Sequence, residues 1–308
     1  MAIYDYQGNE IQSCYDVTGR QASERYDVYG NPLSGGTLPL DYDSYTITDL
    51  FTYVANGFNG FDVYDGIIFQ LMANDKLYMF DLSDGSAIKT AMTIKSDHGD
   101  SASFSNEKYQ ASDPYPLLYV TSDTNPANIY VNRITTNSAT LIKTLSFPLD
   151  KAGYYAAAAY DEKNHIMYMV GYLQQNYQTD DGGNNKTVVS KWDMSNLSQN
   201  QDGSFTPAFV SRYFRDFIFV MQGQQFFDGY IWISSGHNNG GNQYVYAMNP
   251  TDGTIEHTIT LDDHIEIEGL AWVYDGTENK YWMLVGQQNG SAGINYSRID
   301  FATKALIQ

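Results

Sequence analysis

The chain has one cysteine, Cys14, so no intrachain disulfide can form and a packed core must hold the fold together. No stretch approaches the ~18 apolar residues of a membrane-crossing helix, so no membrane insertion is expected. Basic residues are scarce: 17 Lys and Arg stand against 36 Asp and Glu, for a net charge of −19. Such a surface repels phosphate backbones and excludes nucleic acid as a partner, while it attracts cations, Ca²⁺ among them. Helical periodicity of useful length is missing. So are Cys/His pairs at metal spacing, a glycine loop before a helix, and a nucleophile elbow. Met1–Asp5 shows neither a basic region nor an apolar one, so the chain is expected to be made in a cytoplasm without an export signal.

What the chain does have is β-forming composition. Hydrophobic residues make up 43%, enough for a sizeable core, and Tyr is abundant at 27. Tyr suits both pleated strands and recognition surfaces, because its apolar body carries a polar tip. The first 33 residues repeat at a spacing of eleven: Tyr4-Asp5-Tyr6-Gln7-Gly8-Asn9, Tyr15-Asp16-Val17-Thr18-Gly19-Arg20, Tyr26-Asp27-Val28-Tyr29-Gly30-Asn31. Each glycine fits the positive-φ place of a tight turn, so each unit reads as half a β-hairpin, too small to be stable alone. Residues 34–45, rich in Gly and Pro at their start, read as a linker.

From residue 46 to 308 a longer repeat takes over. An aromatic-Asp pair ends a first strand in Tyr64-Asp65, Tyr160-Asp161, Phe227-Asp228 and Tyr274-Asp275. A turn, a strongly apolar strand, a third strand and a polar, edge-like strand follow. Four antiparallel strands at this period predict propeller blades. The expected fold is all-β, a five-bladed β-propeller with a short N-terminal hairpin-like extension. The outer strand of the last blade is assigned to Lys304–Ile307, and the segment 45–54 either completes that blade or builds a sixth.

Inner strands of a propeller converge on one axis. Here each opens on a residue followed by glycine: Asn59-Gly60, His98-Gly99, Ala152-Gly153, Gln222-Gly223, Glu268-Gly269. The glycines fit a turn or a crowded axis, but they leave the polar partners unexplained. Asn59, His98, Gln222 and Glu268, with Asp100 and Glu266 beside them and Tyr154 and Tyr155 as an aromatic wall, are expected to form a polar ligand-binding cup. Asp62, Asp100, Glu266 and Glu268 are the acids with a plausible axial place for glycoside hydrolysis, which needs two carboxylates flanking the bond. Asp65, Asp161, Asp228 and Asp275 read as turn residues. The runs 179–185 and 262–268 could each hold Ca²⁺ or be solvated loops; no other cofactor is expected.

The N-terminal units resemble YD-repeats, similar to openings of tail and baseplate proteins of phages of Gram-positive bacteria. The segments His98-Gly99-Asp100-Ser101-Ala102-Ser103-Phe104, Phe227-Asp228-Gly229-Tyr230-Ile231-Trp232 and Glu266-Ile267-Glu268-Gly269-Leu270-Ala271-Trp272 resemble inner-strand motifs of helveticin J-like propellers. The third blade departs, because Ala152 stands where the polar rim residue would be. The resemblance implies a five-bladed fold and a cell-envelope target. The expected role is therefore a non-catalytic virion protein, made in the host cytoplasm and extracellular after lysis. It would bind a host cell-wall or surface glycan, join other virion proteins through residues 1–45, and form homo-oligomers as repeated appendages do. A hydrolase on the same fold and a structural spacer are the alternatives.

Overall fold

The computed structural model describes residues 25–26, 32–33, 40–53, 57–122, 127–195, 202–236, 243–261, 266–278, 280–288 and 293–303. Most of the N-terminal repeat, with Cys14, lies outside these residues. Strands β1 (Arg25–Tyr26) and β2 (Pro32–Leu33) pair antiparallel and bracket the third Tyr-Asp unit, as a hairpin requires.

The rest is five antiparallel sheets and a single short helix, Leu149–Ala152, among the described residues. Strand β3 (Leu40–Tyr53) is kept aside by the chain and used last. Blade one is β4 (Phe58–Tyr64), β5 (Ile67–Met72), β6 (Lys76–Asp81) and β7 (Ala87–Thr93). Blade two is β8 (Gly99–Phe104), β9 (Leu117–Ser122), β10 (Asn128–Ile134) and β11 (Ala139–Ser146). Blade three takes β12 (Tyr154–Asp161), β13 (Ile166–Tyr172), β14 (Thr187–Asp193) and β16 (Ala208–Arg215). Before β16 the chain lays β15 (Gly203–Phe205) parallel on the outer edge of blade two, which stitches the two blades together. Blade four is β17 (Met221–Phe227), β18 (Tyr230–Ser235), β19 (Gln243–Met248) and β20 (Ile255–Leu261). Blade five is β21 (Glu266–Asp275), β22 (Lys280–Gln288) and β23 (Ile294–Thr303), and β3 is its outer strand.

Residues 304–307, assigned to the outer strand of the last blade, lie outside the described residues; the place beside β23 is taken by β3, which pairs from Ile294↔Tyr53 to Thr303↔Leu40, so the segment 45–54 completes the fifth blade, as the first of its two readings has it. The same pairing uses up the segment proposed for a sixth blade, so the ring has five. Strand β3 also begins at Leu40, inside the stretch read as linker, because Leu40 and Tyr42 are buried against blades four and five.

The packing explains the ring. Five buried apolar clusters each join two neighbouring blades, one to two, two to three, three to four, four to five and five back to one. The second strand of every blade is buried almost throughout, which is why those strands read as unbroken apolar runs. Between blades four and five, Phe227 stacks on Trp272 at 3.9 Å and Tyr42 meets Trp232 edge-on at 5.0 Å. The turn acids behave as expected. Asp65 and Asp228 take positive φ in two-residue Asp-Gly hairpins, Asp161 accepts from Asn164 N–H, and Asp275 from Thr277 N–H.

Candidate functional site

All five inner strands carry a register shift against their second strand at the same level. The shifts lie between Phe58 and Phe61, Gly99 and Ser101, Tyr154 and Ala157, Met221 and Gln224, and Ile267 and Gly269. Extra residues are squeezed in there: Asn59, Asp100, Tyr155, Gln222 and Glu268, with their neighbouring glycines or alanine. A β-bulge bends its strand and re-aims a side chain. Asn59, Gln222 and Glu268, each the residue before a glycine in the sequence, lie in these bulges, whereas His98 precedes the bulge of its blade.

The glycines answer a different demand. A Cβ on Gly223 would lie 2.6 Å from the Gly269 Cα, and one on Gly269 would lie 3.4 Å from the Gly60 Cα. The inner strands of blades four and five thus approach backbone to backbone, which only glycine permits, while a Cβ on Gly269 would also meet the Phe61 ring at 2.9 Å.

Around this level opens a funnel of about 460 Å³, lined by Asn59, His98, Tyr155, Gln222, Glu266 and Glu268. Tyr172 and Tyr177 extend its aromatic wall, and Tyr155 meets Tyr177 edge-on at 5.1 Å. Sequence reasoning missed Tyr177, because it sits in the long loop after β13 and belongs to no repeated position. Tyr154, Tyr155 and Tyr177 all pack against the cluster between blades three and four, and of the three only Tyr154 is outside the funnel lining. The backbone of Asp100 occupies its bulge; its side chain lies outside the described residues.

The funnel is built at a conformational cost. His98, Tyr155 and Val220, all lining it, adopt positive φ of 60°, 48° and 35°. Such geometry costs of order 1–3 kcal/mol per residue and collects at ligand sites. Gln222 Nε2 donates to Glu266 Oε1 at 2.7 Å and so fixes both side chains on the wall. Asn59 is 3% exposed, and its Nδ2 has no partner among the described residues. A buried donor left unsatisfied costs about 1–3 kcal/mol, which an acceptor in the funnel would recover. The described lining offers amides, carboxylates, phenol rings and the His98 imidazole, with neither Lys nor Arg among them.

Below the funnel the axis is closed by polar links between blades. Ser101 Oγ donates to Gln224 O at 2.7 Å, and Thr121 Oγ1 accepts from Ala158 N–H. Asp62 forms the deepest link: it accepts from Val63 N–H, Phe104 N–H at 2.6 Å and Gln225 Nε2 at 2.8 Å. Asp62 therefore ties blades one, two and four together and lies on the far side of the plug from Glu266 and Glu268. Of the acids considered for hydrolysis, Glu266 and Glu268 share the funnel, whereas Asp62 lies apart from them.

No protein-family model matches the chain, and no curated protein matches it. Among solved structures, it is similar to glutaminyl cyclase of Myxococcus xanthus, with 11% identity over 84% of this chain and 97% of that one, at a TM-score of 0.48. It is also similar to Saccharomyces cerevisiae Sqt1, with 11% identity over 77% of this chain and 55% of that one, at a TM-score of 0.35. The blade count rests on the strand pairing itself.

Beyond the plug, burial pushes the Asp62 carboxyl up to about 6, against the three hydrogen bonds that pull it down. Glu162, at the far end of the third blade's inner strand, is pushed up to about 7 by burial, against a hydrogen bond from Asn106 N–H. Both groups hold their proton more tightly folded than unfolded. Stability should therefore fall as pH rises from about 4 to 7, and level off above. A shift of about two units at Asp62 corresponds to roughly 3 kcal/mol. Acids held low, such as Asp113 beside Arg133, act below about pH 4 and leave this window alone. Urea midpoints measured from pH 4 to 8 should decline in the wild type and decline less in Asp62→Asn. A flat wild-type profile would contradict the assignment.

Proposed function

We propose that the opening-end funnel binds a neutral, hydroxyl-rich ligand, a cell-surface glycan, without turning it over. The observation that carries this reading is the coincidence of bulge and funnel: each inner strand departs from regular pairing with its second strand at the funnel level, and in four of the five blades a bulge residue, Asn59, Tyr155, Gln222 or Glu268, lines the funnel. Amides of Asn59 and Gln222 supply donors, Glu266 and Glu268 supply acceptors, and Tyr155 and Tyr177 supply ring surface for a sugar face.

The placement of the whole chain in a phage tail or baseplate is part of this proposal. It is supported by the YD-like units, the helveticin J-like inner-strand motifs and the acidic, Lys-poor composition. Residues 1–45 would attach the protein to its virion neighbours, apart from β3, whose first residues belong to the ring.

The test is retention of the full chain on Gram-positive cell-wall preparations, with soluble sugar assayed in parallel. Wild type should be retained and release none. The double variant Gln222→Ala, Glu268→Ala should lose about ten-fold or more in retention, since two polar contacts to ligand are removed at once. Released sugar would replace this reading with a hydrolase, and equal retention of both proteins would remove the funnel from binding.

A further inference from the structure

The propeller has a second cavity, at the other end of the same inner strands. It measures about 600 Å³, and its lining shares no residue with that of the funnel. Its floor is Asp62, its flank is Glu162, and Asp65 stands at its margin. The walls are aromatic: Tyr64, Phe104, Tyr160, Phe227, Trp272 and Tyr281 all contribute. Lys, Arg and His are absent from the described lining, so the three carboxylates meet no protein cation there.

These features point to one ligand chemistry. Carboxylates inside an aromatic chamber pay for desolvation unless a positive charge joins them. Aromatic faces attract an organic cation through their quadrupoles, most strongly where water is excluded. A bare metal ion fits less well, because among the described residues no three acidic, His or Cys side chains come together as ligands. The Trp272 indole N–H, buried at this wall, has no partner among the described residues, so an acceptor on the ligand would satisfy it.

We propose that this cavity binds a small organic ammonium ion, held by the charges of Asp62 and Glu162 and by the aromatic walls. Asp62 already accepts hydrogen bonds from blades one, two and four, so it acts on the ligand as a fixed charge. Glu162 receives the backbone N–H of Asn106 from blade two, which fixes it across the seam between blades two and three. A monocation there would offset one of the two negative charges and draw both acids toward it across the seams of the far end.

The test is calorimetric titration of the full chain with choline and with 3,3-dimethylbutan-1-ol, its neutral isostere, at matched ionic strength and pH 8. Choline should bind saturably, and the isostere at least about ten-fold more weakly. Glu162→Gln should weaken choline by a similar factor, while Glu268→Ala, in the funnel, should leave it unchanged. Equal binding of choline and its isostere would overturn the proposal. So would the absence of saturable heat with wild type, or a choline affinity that survives Glu162→Gln. Loss in Glu268→Ala alone would move the cation to the funnel and equally overturn it. Because the two cavities have separate linings, the glycan reading stands or falls independently.

Discussion

Gly223→Ala is expected to destabilise the propeller by about 3 kcal/mol or more, far beyond the usual price of a methyl group. The new Cβ would lie 2.6 Å from the Gly269 Cα and 3.2 Å from the Leu270 N. These are backbone atoms of the neighbouring inner strand, so no side chain can swing aside. Relief requires blade four to move away from blade five, and overpacking of this kind costs about 1–3 kcal/mol even where side chains can adjust. Gly229→Ala is the control. Gly229 has a φ of +84° but nothing within 4 Å of its added Cβ, so only turn strain of about 1 kcal/mol is expected. Thermal or urea unfolding of the pair separates a crowded axis from a conformational demand for glycine. Equal, small losses would contradict the close approach of inner strands.

Removal of residues 1–53 is expected to abolish cooperative folding. The segment includes β3, the outer strand of the fifth blade, and thereby joins the two ends of the chain. It buries Leu40 and Tyr42 against blades four and five, and Tyr42 OH donates to Asp228 Oδ2 at 2.6 Å. Burial of a large apolar side chain is worth about 1.5–3 kcal/mol. Loss of both, of the β23 pairing, and of cover over Trp232, Trp272 and Phe301 approaches the ~5–15 kcal/mol that holds a domain together. The truncated chain should aggregate, or show broad unfolding by calorimetry. A sharp transition near that of the full chain would show that the ring closes without β3. Removal of residues 1–24 alone should leave the transition in place, because no described strand is lost.

Much of this architecture was legible in the sequence. Apolar second strands recur because every blade buries the same strand, and an aromatic-Asp pair marks the turn before it in four blades, so five repeats could be counted. Two things were not legible. The outer strand of the third blade, Ala208–Arg215, follows a detour that pairs Gly203–Phe205 with blade two, and exposed strands carry little periodic signal. That the outer strand of the fifth blade comes from the opposite end of the chain was one of two readings of the segment 45–54; local pattern could not choose between them or foresee that β3 starts at Leu40. At the site, the X-Gly pairs marked the right level because bulge and crowding act on adjacent residues. Asn59, Gln222 and Glu268 answer the bulge, and their glycines answer the axis. Tyr177 escaped notice because loop residues obey neither rule. The second cavity escaped because its acids, Asp62 and Glu162, come from different blades and are brought together only by the ring.

The account turns on the funnel as the ligand site, and a crystal structure of the full chain soaked with cell-wall oligosaccharide fragments tests that most directly. The account predicts a sugar in the opening-end funnel, with a hydroxyl or carbonyl oxygen on Asn59 Nδ2 and further hydroxyls on Gln222 and Glu268. Sugar bound only elsewhere on the surface, or a funnel that keeps the same ordered water with and without saturating fragments, would contradict it.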